Sequence, residues 1–148
     1  MFKSAALIAG LLFAGAVADE GLPYVNAAAF KCLALNLYHE ARGEGIEGMR
    51  AVASVVLTRA SKQDKSVCDV VYKRKQFSWA NTKQGQAKPL GNDNIDNVLT
   101  VAYQALAGNV VDVTGGADHY HACAVAPKWT KHMTHTYTVG NHRFYKQL

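Results

Sequence analysis

The sequence predicts a single α+β domain, in which a helical body precedes a small C-terminal β element. Apolar residues recur at helical spacing in three stretches of the first two thirds of the chain, and after Gly115-Gly116 the pattern changes to short extended runs. The length of 148 residues suits one domain. A composition with 49% apolar and 18% charged residues excludes a disordered chain. A multi-span membrane protein is excluded because only one stretch, at the N-terminus, is apolar over a long run.

The helical body is predicted from apolar periodicity and from residues that begin or end helices. A first helix is expected over about residues 27–42, with Asn26 as its N-cap. Further helices are expected over about residues 46–60 and 95–107, and a shorter one near residues 67–72.

The β element is predicted from short runs that lack helical periodicity. Residues 119–124 and 136–139 favour an extended chain, and the second run is followed by Gly140-Asn141. That dipeptide is typical of a two-residue hairpin turn, so residues 142–144 should pair back onto 136–139.

The N-terminal residues 1–18 have the pattern of a secretory signal peptide. Lys3 precedes an uncharged run that ends in the small residues of Ala16-Val17-Ala18. The run is shorter than the roughly 20 residues that span a bilayer comfortably, so a weak signal anchor is the alternative. We expect one domain over residues 19–148, exported to the periplasm or the extracellular space, with membrane contact only through the N-terminal segment.

The net charge of +5 and the pI near 9.2 indicate anionic partners. Nucleic acid, anionic lipid and acidic cell-wall polymer all fit the charge. Because the basic residues are scattered, with residues 73–75 as their only cluster, nucleic-acid binding is disfavoured.

Three cysteines bear on the compartment and on metal binding. An oxidising compartment allows one pair among Cys32, Cys68 and Cys123, and the spacing does not fix which. Our prediction is Cys32–Cys68. No CxxC or Cys/His spacing typical of zinc is present, so no metal or other cofactor is expected.

Two glutamates near the end of the first predicted helix are candidates for acid–base chemistry. Glu40 lies seven residues after Leu33 and Glu44 seven after Leu37, so a continued helix would place both on the apolar arc. A carboxyl held against apolar surface has a raised pKa, as a general acid requires. The alternative is that both glutamates support the backbone at the helix end.

Two further segments favour a polar cleft. Residues 76–79 combine an amide, a hydroxyl and two aromatic rings, which suits sugar binding, although a packed aromatic pair is the alternative. His119 and His121 share one face if their segment is a strand. They could begin a zinc site or line a cleft.

Five motifs occur in order along the chain. They are Tyr38–Glu44, Val67–Val71, Gln76–Trp79, Gly115–His121 and Gly140–Tyr145. In these motifs the sequence resembles the SleB-like cell wall hydrolases over about residues 30–146. The resemblance implies a compact, lysozyme-like α+β domain.

The resemblance also implies an activity, the cleavage of peptidoglycan between N-acetylmuramic acid and N-acetylglucosamine. A lytic transglycosylase of this kind uses one glutamate, the first of Glu-Ala-Arg-Gly-Glu, which is Glu40 here, and leaves 1,6-anhydro-muramoyl ends. The expected substrate-binding residues are Glu44, Gln76, Phe77, Ser78, Trp79, His119, Tyr120 and His121. We expect a monomer. An N-acetylmuramoyl-L-alanine amidase and a non-catalytic wall-binding module remain alternatives.

Overall fold

The computed structural model describes residues 21–87, 91 and 94–148, so the predicted signal segment lies outside the described residues. Over this part of the chain, helices precede a three-stranded sheet, as expected. The helices are α1 (Ala27–Ala41), α2 (Gly45–Gln63), α3 (Val67–Val71), α4 (Lys83–Ala87) and α5 (Ile95–Leu106). The strands are β1 (His119–Ala122), β2 (Met133–Val139) and β3 (His142–Gln147). None of the described helices is long and apolar enough to cross a membrane.

The core of the domain forms where α1, α2 and α5 pack on one another. Leu33 and Leu37 of α1 and Val52 and Val56 of α2 are fully buried, which follows from their helical spacing. The side chain of Asn26 accepts a hydrogen bond from Ala29 N at 3.0 Å and so caps α1 as predicted.

A disulfide joins α1 to α3 and confirms the predicted pair. Cys32 and Cys68 are bonded, with their Cα atoms 5.3 Å apart. Cys123 is exposed and has a free thiol. The bond fixes the first turns of α1 against the segment that leads towards residues 76–79.

The sheet is antiparallel and has the order β1-β3-β2. Gly140 and Asn141 connect β2 and β3, with Val139 opposite His142, so the predicted hairpin is confirmed. An irregularity in register between His135 and Tyr137 bends β2. The inner face of the sheet packs on the helical core through Phe144, which is fully buried.

Candidate active site

A cleft of about 440 Å³ opens between the end of α1 and the sheet, and we call it the Glu40 cleft. Glu40 and Arg59 line it from the helices, which form its helical side. Tyr120, His121 and Trp129 line it from β1 and the loop after it, which form its sheet side. The cleft therefore depends on packing between two parts of the chain that are far apart in sequence.

Glu40 is the penultimate residue of α1, and its carboxyl group lies at the junction of the two sides. Its Oε2 accepts a hydrogen bond from the Tyr120 hydroxyl at 3.0 Å. Burial raises the pKa of Glu40, while the Tyr120 hydrogen bond and the charge of Arg59 lower it in part. The net effect is a raised pKa, which keeps more of the acid form as pH increases.

Tyr120 connects β1 to the helical side of the cleft. Burial, and then the nearby Glu40 carboxyl, hold the Tyr120 pKa well above its ordinary value. The hydroxyl therefore stays protonated and remains a donor to Glu40 over the physiological pH range. The ring packs against Phe144, with the ring centroids 5.5 Å apart.

Arg59 of α2 lies on the helical side of the cleft and is only 6% exposed. Its Nε donates to the backbone oxygen of Asp118 at 2.5 Å, while among the described residues its Nη1 has no hydrogen-bond partner. Burial lowers the Arg59 pKa, and the groups at Tyr120, Asp118 and Glu40 raise it in part. A buried cation therefore lies near the candidate acid.

Aromatic rings cover the outer face of the sheet side. The Trp129 ring centroid lies 5.4 Å from that of His119 and 5.6 Å from that of His121. His121 Nε2 is 3.1 Å from the Tyr145 hydroxyl. His119 and His121 therefore share one face, as predicted for a strand. Flat rings beside polar groups form a surface on which sugar rings can stack.

Residues 76–79 divide between the cleft and the core. Gln76, Phe77 and Ser78 line the Glu40 cleft. Trp79 does not line it, and its placement fits the alternative of a packed aromatic pair. A short 3₁₀ helix turns the Trp79 ring inward, where it is 9% exposed and stacks on His39 with the centroids 4.4 Å apart.

Glu44 is also placed differently from the sequence prediction. Because α1 ends at Ala41, Glu44 precedes α2 as its N-cap residue and does not share the arc of Glu40. It does not line the Glu40 cleft. Its Oε2 instead accepts the Asn141 backbone N–H at 2.6 Å, at the β2–β3 turn.

The β2–β3 turn leaves room for this glutamate through a glycine. Gly140 has a φ of 52°, and a Cβ at that position would collide with the Glu44 carboxylate. Glu44 Oε2 also lies 3.9 Å from Nδ1 of His142, which lines the cleft. Glu44 thus supports the sheet side through its contacts with the β2–β3 turn and with His142.

Six residues that line the cleft are not among the expected site residues. They are Arg59, Lys75, Ala122, Val125, Trp129 and His142. The Lys73-Arg74-Lys75 cluster and the isolated Trp129 were the available signals, but nothing local indicates that these segments meet at Glu40. Burial lowers the pKa of His142, with Glu44 raising it in part and His121 lowering it further.

Asp118, the residue before β1, lies beside the Glu40 cleft and does not line it. Its Oδ2 accepts from Lys62 at 2.7 Å, and its Oδ1 is 2.8 Å from His119 Nδ1 and accepts from Gln147 N at 3.1 Å. Burial alone would raise the Asp118 pKa, but these hydrogen bonds lower it to about 2. Within the described part of the chain, no three His, Cys, Asp or Glu side chains are grouped closely enough to hold a metal ion.

Two solved structures are similar to this fold. The crystal structure of the catalytic domain of the Bacillus cereus SleB protein is 28% identical, covers 83% of this chain and 93% of its own, and gives a TM-score of 0.68. The second is the catalytic domain of the germination-specific lytic transglycosylase SleB from Bacillus anthracis. It is 28% identical to this chain, the alignment covers 82% of this chain and 96% of that domain, and the TM-score is 0.65. The comparison with curated proteins finds no match.

The sequence profile of the Cell Wall Hydrolase family matches residues 43–145. The match begins three residues after Glu40 and includes the other residues that line the cleft. It covers well over half of the chain. The chain therefore belongs to the Cell Wall Hydrolase family and is an enzyme.

Proposed function

We propose that this enzyme is a peptidoglycan lytic transglycosylase that cleaves between N-acetylmuramic acid and N-acetylglucosamine with Glu40 as its catalytic acid and base. The observation that carries the proposal is the setting of Glu40, whose carboxyl lines a cleft and has a pKa raised by burial. Among the described residues that line this cleft, Glu40 is the one carboxylate. The similar Bacillus anthracis domain is a germination-specific lytic transglycosylase, which supports the same assignment.

The first step is protonation of the leaving group. Protonated Glu40 gives its proton to the oxygen between muramic acid C1 and glucosamine C4, and the C1–O bond breaks. The positive charge at C1 is stabilised by the N-acetyl group of the substrate, as in other substrate-assisted glycosidases. Tyr120 keeps one carboxyl oxygen hydrogen-bonded, which leaves the other to hold the proton.

The second step returns the proton to Glu40. The Glu40 carboxylate removes the proton from the muramoyl 6-hydroxyl, whose oxygen bonds to C1 and closes the 1,6-anhydro ring. No water is consumed, so a second carboxylate to activate water is not required. Arg59 stabilises the carboxylate between the two steps because its charge favours the ionised form.

The sheet side is proposed to bind the sugar rings. Trp129 offers a face for stacking, and Gln76, Ser78 and His121 offer polar groups for hydroxyl and N-acetyl substituents. Glu44 and Trp79 take no direct part. Glu44 supports the β2–β3 turn, and Trp79 packs on His39 of α1.

The same proposal includes an exported monomer that acts at the cell wall without a cofactor or a nucleic-acid partner. Residues 1–18 would be a cleaved signal peptide or a weak anchor, and the mature domain would begin near residue 19. N-terminal sequencing of the protein recovered from the periplasm or medium tests this part. A start near residue 19 is expected, and an intact Met1 in soluble exported protein would contradict cleavage.

The test of the activity is digestion of purified peptidoglycan sacculi followed by mass spectrometry of the fragments. We expect 1,6-anhydro-muramoyl ends, before and after treatment of the enzyme with EDTA. Reducing muramoyl ends would indicate a hydrolytic muramidase instead. Released stem peptides, lost with EDTA and restored by zinc, would indicate an amidase.

A further inference from the structure

A second cleft of about 380 Å³ adjoins the Glu40 cleft, and we call it the basic cleft. The two clefts share Arg59, Gln76 and His119 as lining residues. Lys62 and Lys73 also line the basic cleft. A molecule bound across the shared residues would therefore extend from Glu40 into a region rich in positive charge.

The charges of the basic cleft are unevenly matched. Asp118 is the one carboxylate among the described residues that line it, against the cations Arg59, Lys62 and Lys73. The Asp118 carboxylate already contacts Lys62, His119 and the backbone N–H of Gln147. Lys62 is thus neutralised, while Arg59 and Lys73 have no carboxylate partner in the cleft.

Arg59 is the strongest indication of a missing anion. Only 6% of Arg59 is exposed, and its Nη1 has no hydrogen-bond partner among the described residues. A buried guanidinium that is incompletely paired favours a nearby anion, so a carboxylate bound where Arg59 lines the two clefts would be stabilised by its charge. When Glu40 is protonated, as the proposed first step requires, it does not offset the Arg59 charge either.

Peptidoglycan itself carries the matching group. Its muramic acid residues bear short peptide stems with free carboxylates, and each stem is carried, through the lactyl group on C3, by the same sugar whose C1–O bond Glu40 would cleave. Resting on the function proposed above, we propose that the basic cleft is a subsite for a free carboxylate of the peptide stem, with Arg59 and Lys73 as its cationic groups. The enzyme would then distinguish stem-bearing from stem-free glycan.

Binding of this carboxylate would also assist the chemistry. The charge of Arg59 lowers the pKa of Glu40. A stem carboxylate paired with Arg59 would offset that charge and leave Glu40 more readily protonated. The subsite therefore couples recognition of the stem to the acid form that the first step uses.

The test compares three soluble substrates prepared from the same glycan strands. The first retains its stems, the second has been stripped of stems by an amidase, and the third has its stem carboxylates converted to amides. We expect a KM about 10-fold lower for the first than for the other two, as one charge-assisted hydrogen bond supplies. Equal KM values for all three, with anhydro ends formed from each, would overturn the subsite and leave the proposed function intact.

Variants assign the preference to the basic cleft. Lys73→Gln should reduce the preference for stem-bearing strands about 3-fold, because Lys73 is exposed and its ion pair is screened. Lys65→Gln removes the same charge from an exposed position that lines neither cleft and should leave the preference unchanged. Equal losses in the two variants would show a general charge effect and overturn the assignment.

Arg59→Lys tests the buried cation, with circular dichroism as the check on folding. A folded variant should no longer have a lower KM for stem-bearing strands than for stem-free strands. The reason is that an ammonium group cannot make the two directed hydrogen bonds that a guanidinium makes to a carboxylate. A folded variant that keeps the full preference would overturn the role of Arg59. If the variant does not fold, the Lys73→Gln and Lys65→Gln pair decides the proposal. Absence of anhydro ends from every substrate would instead refute the function on which the subsite rests.

Discussion

The two sides of the Glu40 cleft are built in different ways. The helical side presents Glu40 and Arg59 from helices whose core faces are fully buried, and Arg59 is itself only 6% exposed. The sheet side presents β1, in which all four residues are half-buried. The helical side thus supplies charge in a desolvated setting, where a pKa can shift. The sheet side supplies an accessible aromatic surface that suits binding.

The two sides meet through a small number of long-range contacts. Tyr120 and Glu40 are 80 residues apart in sequence, and Asn141 and Glu44 are 97 apart. Changes at Glu40 should therefore alter the chemical step, and changes in the aromatic surface of the sheet side should alter substrate affinity. Changes in the contacts between them should alter stability.

The largest effect is expected from Glu40→Gln. The amide retains the size of the side chain and can accept the Tyr120 hydrogen bond, but it cannot donate and recover a proton. Activity in a wall-clearing assay should fall by about 10²–10⁴-fold. Because the Glu40 pKa is raised by burial, ionisation destabilises the fold as pH rises. The variant should therefore be at least as stable as the wild type at pH 7, as measured by its thermal midpoint.

Glu44→Gln is the matched control for that variant. Glu44 supports the β2–β3 turn, so the variant should lose about 1 kcal/mol of stability and keep measurable turnover. A folded but inactive Glu44→Gln, beside an active Glu40→Gln, would reverse the assignment. Two active variants would contradict the glycosidase function.

Loss of the disulfide should affect the helical side without changing the chemistry of the folded enzyme. The Cys32–Cys68 bond closes a loop with a sequence separation of 36, so Cys32→Ser should lower the free energy of unfolding by about 4 kcal/mol. Urea denaturation measures the loss. Cys123→Ser replaces an exposed free thiol and should leave the free energy of unfolding nearly unchanged. Equal losses of stability in the two variants would contradict the assigned pairing.

Asp118→Asn tests the junction between the sides. The Asp118 pKa of about 2 lies below its ordinary value of 3.8, so its ionised form stabilises the folded state. The substitution should cost about 2 kcal/mol at pH 7. This stabilisation is present above the unfolded pKa and is lost as pH falls from about 4 towards 2. The difference in denaturation midpoint between variant and wild type should shrink over that window, and a constant difference would contradict the mechanism.

The smallest effect is expected from Trp129→Ala on the sheet side. Loss of one aromatic stacking face should raise KM about 2- to 10-fold and change kcat less. Trp79→Phe is the matched control, because Trp79 is buried and does not line the cleft. A larger KM effect from Trp79→Phe would restore the sequence prediction that Trp79 binds substrate.

The helical side was largely predictable from sequence, since helical periodicity is local. The predicted first helix differs from α1 by one residue at its end, and the third expected helix differs from α5 by one. Glu44 was misplaced because the chain turns after Ala41. The predicted helix already ends at about residue 42, so its apolar arc does not continue to Glu44.

The sheet side was predictable only in part, because it depends on pairing between distant segments. Gly140-Asn141 identified the hairpin through its own turn chemistry. The irregularity near Thr136 interrupts the alternation of β2, so the strand begins at Met133, three residues before the predicted start. Trp129 is not among the residues expected to bind substrate, because nothing near it in sequence indicates β1 or Glu40.

The central claim is that burial at the meeting of the two sides gives Glu40 a raised pKa. A ¹³C NMR titration of the side-chain carboxyls measures this directly, with Glu40→Gln used to assign the resonance. We predict a midpoint for Glu40 above the ordinary value of 4.5. A midpoint at or below 4.5 in the folded protein would contradict the account, because Glu40 would then be ionised when the first step requires its proton.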